Sequence, residues 1–202
     1  IIPSEIKYQG KTITLDIVLA SEPGADRTFK KLLKPLIEYY DFILIDNGPT
    51  LGMATINSLV ASDYFLIPTL ADYLSLVGVQ KTMETIELIR EKLDHEIENL
   101  GLVLTMIDGR EAIAKDSQEI LNRAFDGKVF NTCIQRNAKF KELAQSRNTI
   151  FDVTKKSDKG NKNYTDLANE VLERLGMNNK PQKITKVPLK TRRNELSVGG
   201  MQ

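Results

Sequence analysis

A carboxylate, Asp46, closes the apolar run Phe42-Ile43-Leu44-Ile45 and is followed at once by Asn47, Gly48 and Pro49. A continuous apolar run of this length reads as a β-strand buried on both faces. An acidic side chain at the carboxyl end of such a strand sits where open α/β sheets hold their ligands. There it can keep a hydrated Mg²⁺ beside a phosphate. The same Asp can do no more than cap the turn that follows, and these residues alone leave both readings open. Two other residue types invite chemistry and offer less. His95 stands alone at a helix end, with no ligand cluster around it, and reads as a solvated cap. Cys133 lies in the apolar-rich run Val129–Ile134 and reads as a small buried hydrophobe.

The elements that must position Asp46 can be placed from periodicity and breakers. Ile13–Ala20 reads as a strand, broken at Ser21-Glu22-Pro23-Gly24. Asp26 is placed to cap a helix from Arg27 to about Glu38, with Leu32, Leu33, Leu36 and Ile37 inward and Pro35 kinking its last turns. Phe42–Ile45 is the first central strand and Met53–Val60 a short helix. Tyr64–Ile67 is a strand stopped by Pro68, and Ser75–Lys92 a long helix. Leu100–Ile107 is a strand turned by Asp108-Gly109, then Glu111–Phe125 a helix and Val129–Ile134 a fourth strand. Ala138–Gln145 reads as a helix, Thr149–Val153 as a short strand or extended segment, and Tyr164–Leu175 as a final helix stopped at Gly176. Strands alternating with helices at this spacing predict an α/β fold, a mainly parallel sheet with helices on both faces. Residues 1–175 form one such domain, and 176–202 a flexible basic tail.

Bulk composition fits that fold and excludes several classes. The chain has 202 residues, 41% hydrophobic and 27% charged. Those proportions are those of a soluble globular protein. A single cysteine rules out an internal disulfide framework and fits a reducing cytoplasm. No apolar run reaches the length of a membrane span, and the N-terminus has no signal-peptide pattern. The formal net charge is +1, so any electrostatic case for nucleic acid must be local. In the tail, Lys180, Lys183, Lys186, Lys190, Arg192 and Arg193 stand against Glu195 alone; that is either a solvated terminus or a nucleic-acid contact.

From Phe42 to Leu175 the chain resembles the ParA/Soj family of partition ATPases, the deviant Walker-A group that also contains MinD. The stretch YDFILIDNGPTLG resembles the family's Walker B strand and switch, YDxIIIDxPPSLG. Asn57–Asp63 with Leu66-Ile67-Pro68 resembles NALxAAD…LIP, and Leu104–Arg110 resembles LTMxDGR. Val129-Phe130 through Ile134–Asn137 resembles VF…IPRN, and Lys156–Gly160 with Tyr164, Leu167-Ala168 and Glu170-Val171 resembles KSKGxxxYxxLAxEV. Each block is a weak signal, but five in the right order are a strong one. The departures are equally specific. The family's phosphate-binding loop, KGGxGKT, does not occur. Gly10-Lys11-Thr12 looks like its tail, yet Glu5 stands where the loop needs glycine and Ile6 where the family has its signature lysine. A strand-like run follows where a helix N-terminus is required, so Gly10-Lys11-Thr12 reads as a hairpin-like turn. The simplest account is that an N-terminal part holding that loop is missing, and Ile1 is then not a natural start. Gly48 replaces the first proline of the family's PP pair, which loosens the switch backbone.

The resemblance implies roles for particular residues. Asp46, with Asn47 and Gly48 in the catalytic switch, would orient Mg²⁺ and its waters, and Asn47–Gly52 would sense the γ-phosphate. Thr105 and the Gln135-Arg136-Asn137 loop would lie against the base and ribose of ATP. Gln135 replaces the family proline, and the triplet also reads as a polar strand-to-helix turn with Asn137 as N-cap. Two family DNA-binding positions fall on Arg110 and Lys139, with Arg136 and Lys141 near enough to join them; the alternative is ordinary solvated charge. Asp72–Leu76 would suit a dimer or partner surface, or simple packing at a helix start. The resemblance implies a cytoplasmic, nucleoid-associated ATPase that hydrolyses ATP to ADP and phosphate with Mg²⁺. It would act as a homodimer on DNA without sequence preference, regulated by a ParB-like centromere-binding partner and with no membrane role. ATP and Mg²⁺ would need the absent loop. A non-catalytic ParA-like binding module and a MinD-like positioning ATPase are the alternatives; the absence of an amphipathic C-terminal helix counts against the second.

Overall fold

The computed structural model describes residues 5–8, 11–14, 24–48, 52–108, 111–146 and 148–177. Its first elements are β1 (Glu5–Tyr8) and β2 (Lys11–Thr14), an antiparallel pair in which Tyr8 faces Lys11 and Glu5 faces Thr14. Lys11 and Thr12 therefore belong to a strand and do not open a helix. Gly10 and most of the strand expected over Ile13–Ala20 lie outside the described residues, as do residues 178–202 of the basic tail.

The helix expected from Arg27 to Glu38 is shorter and broken. A 3-10 turn at Ala25–Arg27 leads into α1 (Thr28–Leu33), and Lys34–Leu36 is again 3-10. Pro35, at the start of that second turn, removes the N–H a continuing α-helix would need. Asp26 lies inside the first turn and Arg27 takes the cap position without a side-chain bond. Leu33 is buried, whereas Leu32 and Ile37 are exposed.

The clearest correction concerns Phe42–Ile45, which is not a strand. Phe42, Ile43 and Leu44 are 46%, 38% and 93% exposed. Apolar periodicity can ask for burial, but a strand exists only through ladder bonds to a neighbour. Among the described residues no strand pairs with this run.

The body of the fold follows. It comprises α2 (Met53–Val60), β3 (Tyr64–Thr69), α3 (Tyr73–Leu93), β4 (Glu98–Leu104), α4 (Glu111–Ala124), α5 (Lys139–Ser146), α6 (Ile150–Val153) and α7 (Lys159–Arg174). Strands β3 and β4 are parallel, with Thr69 opposite Leu104. β3 runs through Pro68, past the stop expected there; proline is tolerated where the ladder does not call on its N–H. Gly101–Leu104 is buried throughout, as a strand covered on both faces must be.

Val129–Ile134 flanks β4 on its other side but is not a regular strand. Phe130 N–H donates to Leu102 O and Ile134 N–H to Leu104 O, each at 2.8 Å. Parallel bridges join Leu102 to Val129 and Ile107 to Gln135. The ladder is interrupted between them because the N–H groups of Asn131 and Thr132 donate instead to the Glu170 carboxylate, both at 2.8 Å. Thr149–Val153, expected to be extended, forms the short helix α6. Thr149 and Asp152 make a capping box there, with Thr149 N–H donating to Asp152 at 2.8 Å. The box satisfies N–H groups that a helix start would otherwise leave without a partner.

Three apolar clusters fill the layers. Leu59, Val60, Phe65, Ile86, Ile89 and Ile97 seal α2 and α3 against β3. Val79, Leu102, Leu104, Leu121 and Val129 join α3 and α4 to one face of β4. Val103, Phe130 and Ile134 pack with Phe140, Leu167 and Val171 on the other face, beneath α5 and α7. Helices thus cover both faces of a parallel sheet, the α/β class the pattern predicted. His95 is not a solvated cap: its half-buried ring places Nε2 3.2 Å from Leu59 O and 3.1 Å from Ser62 O, closing the end of α2. Cys133 is half-buried, and burial followed by the Glu170 charge pushes its thiol up.

Candidate functional site

The carboxyl ends of the parallel elements converge on one edge. Thr105 directly follows β4; its N–H donates to Thr69 O at 2.8 Å, and its Oγ1 lies 3.3 Å from the same oxygen. Next to it, Met106 takes a left-handed φ of 54° and is exposed. Ile107 N–H donates to Ile134 O at 3.2 Å, and Arg136 N–H to Ile107 O at 3.0 Å. Those two bonds hold Gln135-Arg136-Asn137 alongside the segment that begins at Thr105.

The triplet also makes the strand-to-helix turn. Asn137 Oδ1 accepts from Lys139 N–H at 3.0 Å, so its side chain caps the start of α5. Its amide then reaches across to α7, donating to Asp158 Oδ1 at 3.4 Å. Gln135 N–H donates to Asn163 Oδ1 at 3.3 Å. Between the triplet, Lys139 and the first turn of α7 lies an open cavity of about 300 Å³ with mainly polar walls. Arg136 pairs with Asp108 at 3.4 Å, both side chains largely in solvent.

Asp158 is the residue sequence reasoning passed over. It caps α7, accepting from Gly160 N–H at 2.9 Å, and takes a bond from Lys139 Nζ at 2.5 Å. That lysine bond is the first cause holding its carboxyl below the usual aspartate value. Burial opposes the shift, and the N–H groups of Gly160 and Asn161 add to it. The available signal was an N-cap residue, Asp, directly before a helix.

Not every expected residue joins this edge. Asp46 and Gly48 stand exposed after that run, and Asn47 Nδ2 donates to Ile45 O at 3.5 Å. Arg110, Gly109 and residues 49–51 of the expected switch lie outside the described residues. Lys141 is in α5, and its side chain is not among those described. Asp72 caps α3 through Ser75 N–H and Oγ, each at 2.9 Å. Tyr73 and Leu74 are 77% and 80% exposed, so simple packing does not account for Leu74, whereas Leu76 packs into the core. Among the described residues no cluster of three His, Cys, Asp or Glu could hold a metal. No described helix is long and apolar enough to cross a membrane.

Comparison with known proteins agrees with this architecture. Residues 1–99 match a family model described as an AAA domain. The chain is 33% identical over 175 residues to the chromosome-partitioning ATPase Soj of Treponema pallidum, covering 87% of this chain and 67% of that protein. It is 33% identical over 171 residues to the sporulation initiation inhibitor protein Soj of Bacillus subtilis, covering 85% and 66%. To the chromosome partitioning protein ParA of Myxococcus xanthus it is 32% identical over 178 residues, covering 85% and 62%. Among these and other curated relatives the chain spans between 54% and 67% of the relative's length. Its fold is that of the ATP complex of a Cyanothece McdA, at 20% identity and TM-score 0.67, covering 83% of this chain and 64% of that one. It also resembles the ADP- and magnesium-bound cobyrinic acid a,c-diamide synthase of Mycobacterium smegmatis, at 20% identity and TM-score 0.65, covering 88% and 68%.

Proposed function

Because the chain belongs to the ParA/Soj family of partition ATPases, we propose that the protein carrying it is a DNA segregation ATPase. On this reading ATP drives its dimerisation, the dimer binds DNA without sequence preference in the cytoplasm, and a ParB-like centromere-binding partner regulates it. The carrying observation is the cluster at the sheet's carboxyl edge. Gln135-Arg136-Asn137 and Lys139 line a cavity there, and the backbone bonds of Ile107 to Ile134 and Arg136 hold the triplet beside the segment that begins at Thr105. Edges of this kind receive nucleotides in open α/β sheets. Thr105, Gln135, Arg136 and Asn137 would lie against base and ribose. Arg110 and Lys139, with Arg136 and Lys141, would meet DNA phosphates.

Asp46 is an exposed carboxylate. It fits Mg²⁺ as a group that would reach the ion through water, the phosphates supplying other oxygens. When bound, Mg²⁺ would neutralise charge on the transferring phosphoryl group. Asn47 and Gly48 would then register the γ-phosphate by backbone movement.

The test replaces Arg110 and Lys139 together by Ala in the full-length protein. Affinity for random-sequence duplex should fall by at least about tenfold at low salt while nucleotide affinity is unchanged. Unaltered DNA affinity sinks the assignment.

A second reading, a binding module without catalysis, draws on one observation. Lys11 and Thr12 lie in an antiparallel strand, so no phosphate cradle forms around them. The 202-residue chain by itself should hydrolyse no ATP. Turnover lost on Asp46→Ala would show a cradle within it, whereas hydrolysis by the full-length protein alone favours the ATPase.

A further inference from the structure

Lys139 occupies a place at which the proposed nucleic-acid face would meet a phosphate, yet its ammonium already has a partner. Its Nζ donates to Asp158 Oδ2 at 2.5 Å. The carboxylate is held from two other directions, by Gly160 N–H at 2.9 Å and Asn137 Nδ2 at 3.4 Å. Asp158 keeps 17% of its side-chain exposure and Lys139 keeps 49%. The aspartate is therefore the fixed member, anchored in the first turn of α7, and the lysine the one with room to swing into solvent. The neighbouring pair of Arg136 and Asp108 differs, because both of its members stand largely in solvent. Water and salt screen most of the attraction between such exposed charges.

We infer that Asp158 is an internal counter-ion that competes with nucleic-acid phosphate for Lys139 and so sets the affinity of this face. The inference rests on the DNA reading of Lys139 given above. A lysine neutralised by a fixed carboxylate presents no net charge to a duplex, and the carboxylate itself repels phosphate. Contact then releases fewer condensed counter-ions than a free lysine would. Asp158 also lines the cavity behind Gln135–Asn137, so whatever fills that cavity meets the same carboxylate.

The test uses the full-length protein with ATP and Mg²⁺ and a random-sequence duplex, read by fluorescence anisotropy across a salt series. Asp158→Asn keeps an oxygen for Gly160 N–H, and Asn caps a helix as well as Asp does. Binding should tighten roughly three- to tenfold at low salt, and log K against log salt should steepen by roughly 0.9, one phosphate. In a Lys139→Ala background most of that gain should vanish. Asp158→Ser, which also retains a capping oxygen, repeats the measurement if the Asn variant melts early. An unchanged affinity and slope for both variants, with Lys139→Ala still weakening binding, overturns the counter-ion while leaving the DNA contact in place. An equal gain with and without Lys139 overturns it too, by reducing the effect to bulk charge. If Lys139→Ala alone changes nothing, the DNA role of Lys139 fails and the counter-ion fails with it.

Discussion

At the scale of single residues, Gly101 is the most crowded of the described glycines. Its φ is 138°, and a Cβ there would lie 2.5 Å from Lys128 O, 2.7 Å from Arg174 Nη1 and 2.9 Å from the Phe130 ring. A backbone oxygen and a packed ring cannot yield, and the backbone conformation itself disfavours a side chain. Gly101→Ala should therefore cost about 2–4 kcal/mol, measured by urea unfolding. A loss below about 0.5 kcal/mol would mean that the strand relaxes freely there. Arg174 shows why that space is full. It donates from Nη1 to Leu100 O at 3.0 Å and from Nη2 to Val129 O at 2.7 Å, and pairs with Glu170 at 3.0 Å. Its guanidinium also lies 3.8 Å from the Phe130 ring centre.

At the scale of elements, those contacts pin α7 across β4 and the Val129–Ile134 segment together. Arg174→Ala leaves two part-buried carbonyls and the Glu170 carboxylate short of a donor. It should destabilise by about 2–4 kcal/mol in a thermal or urea melt. Arg174→Lys should recover less than half, because one ammonium cannot reproduce the planar fork; full recovery would mean that charge alone matters. Helix α2 is pinned in a comparable way. Asn57 donates to Met53 O at 3.0 Å and accepts from Phe29 N–H at 3.1 Å, while His95 closes the far end. The element that follows the proposed switch is thereby tied to α1 and to the loop before β4.

At the scale of the whole molecule, four carboxyls among the described residues titrate below their ordinary values. The Ser75 N–H lowers Asp72, the Thr149 hydroxyl lowers Asp152, and the Lys139 ammonium lowers Asp158. Glu170 is raised by burial but lowered further by the N–H groups of Asn131 and Thr132 and by Arg174. A carboxyl depressed in the folded state adds stability above its unfolded value and loses it as pH falls through the folded one. Unfolding free energy should be flat from about pH 5 to 7 and drop below about pH 4. A flat profile down to about pH 3 would show that these bonds contribute little.

Much of this was readable in advance. Met53–Val60 has the bounds that periodicity gave it, and the long helix, the Leu100 strand and the closing helix differ only at their ends. The reason is that a 3.6-residue or continuous apolar pattern is a local property. The ordered motifs likewise carry family membership, since they are written in residue types. Tertiary structure alone decided the rest. Whether Phe42–Ile45 is a strand depends on a neighbour to bond with, and whether Val129–Ile134 stays regular depends on Glu170, thirty-nine residues beyond Asn131. His95 became a partner of Leu59 and Ser62, and Asp158 the partner of Lys139, only when distant segments met. Sequence specifies which groups want burial, a cap or a counter-ion; the packed chain determines which group, far away along it, supplies one.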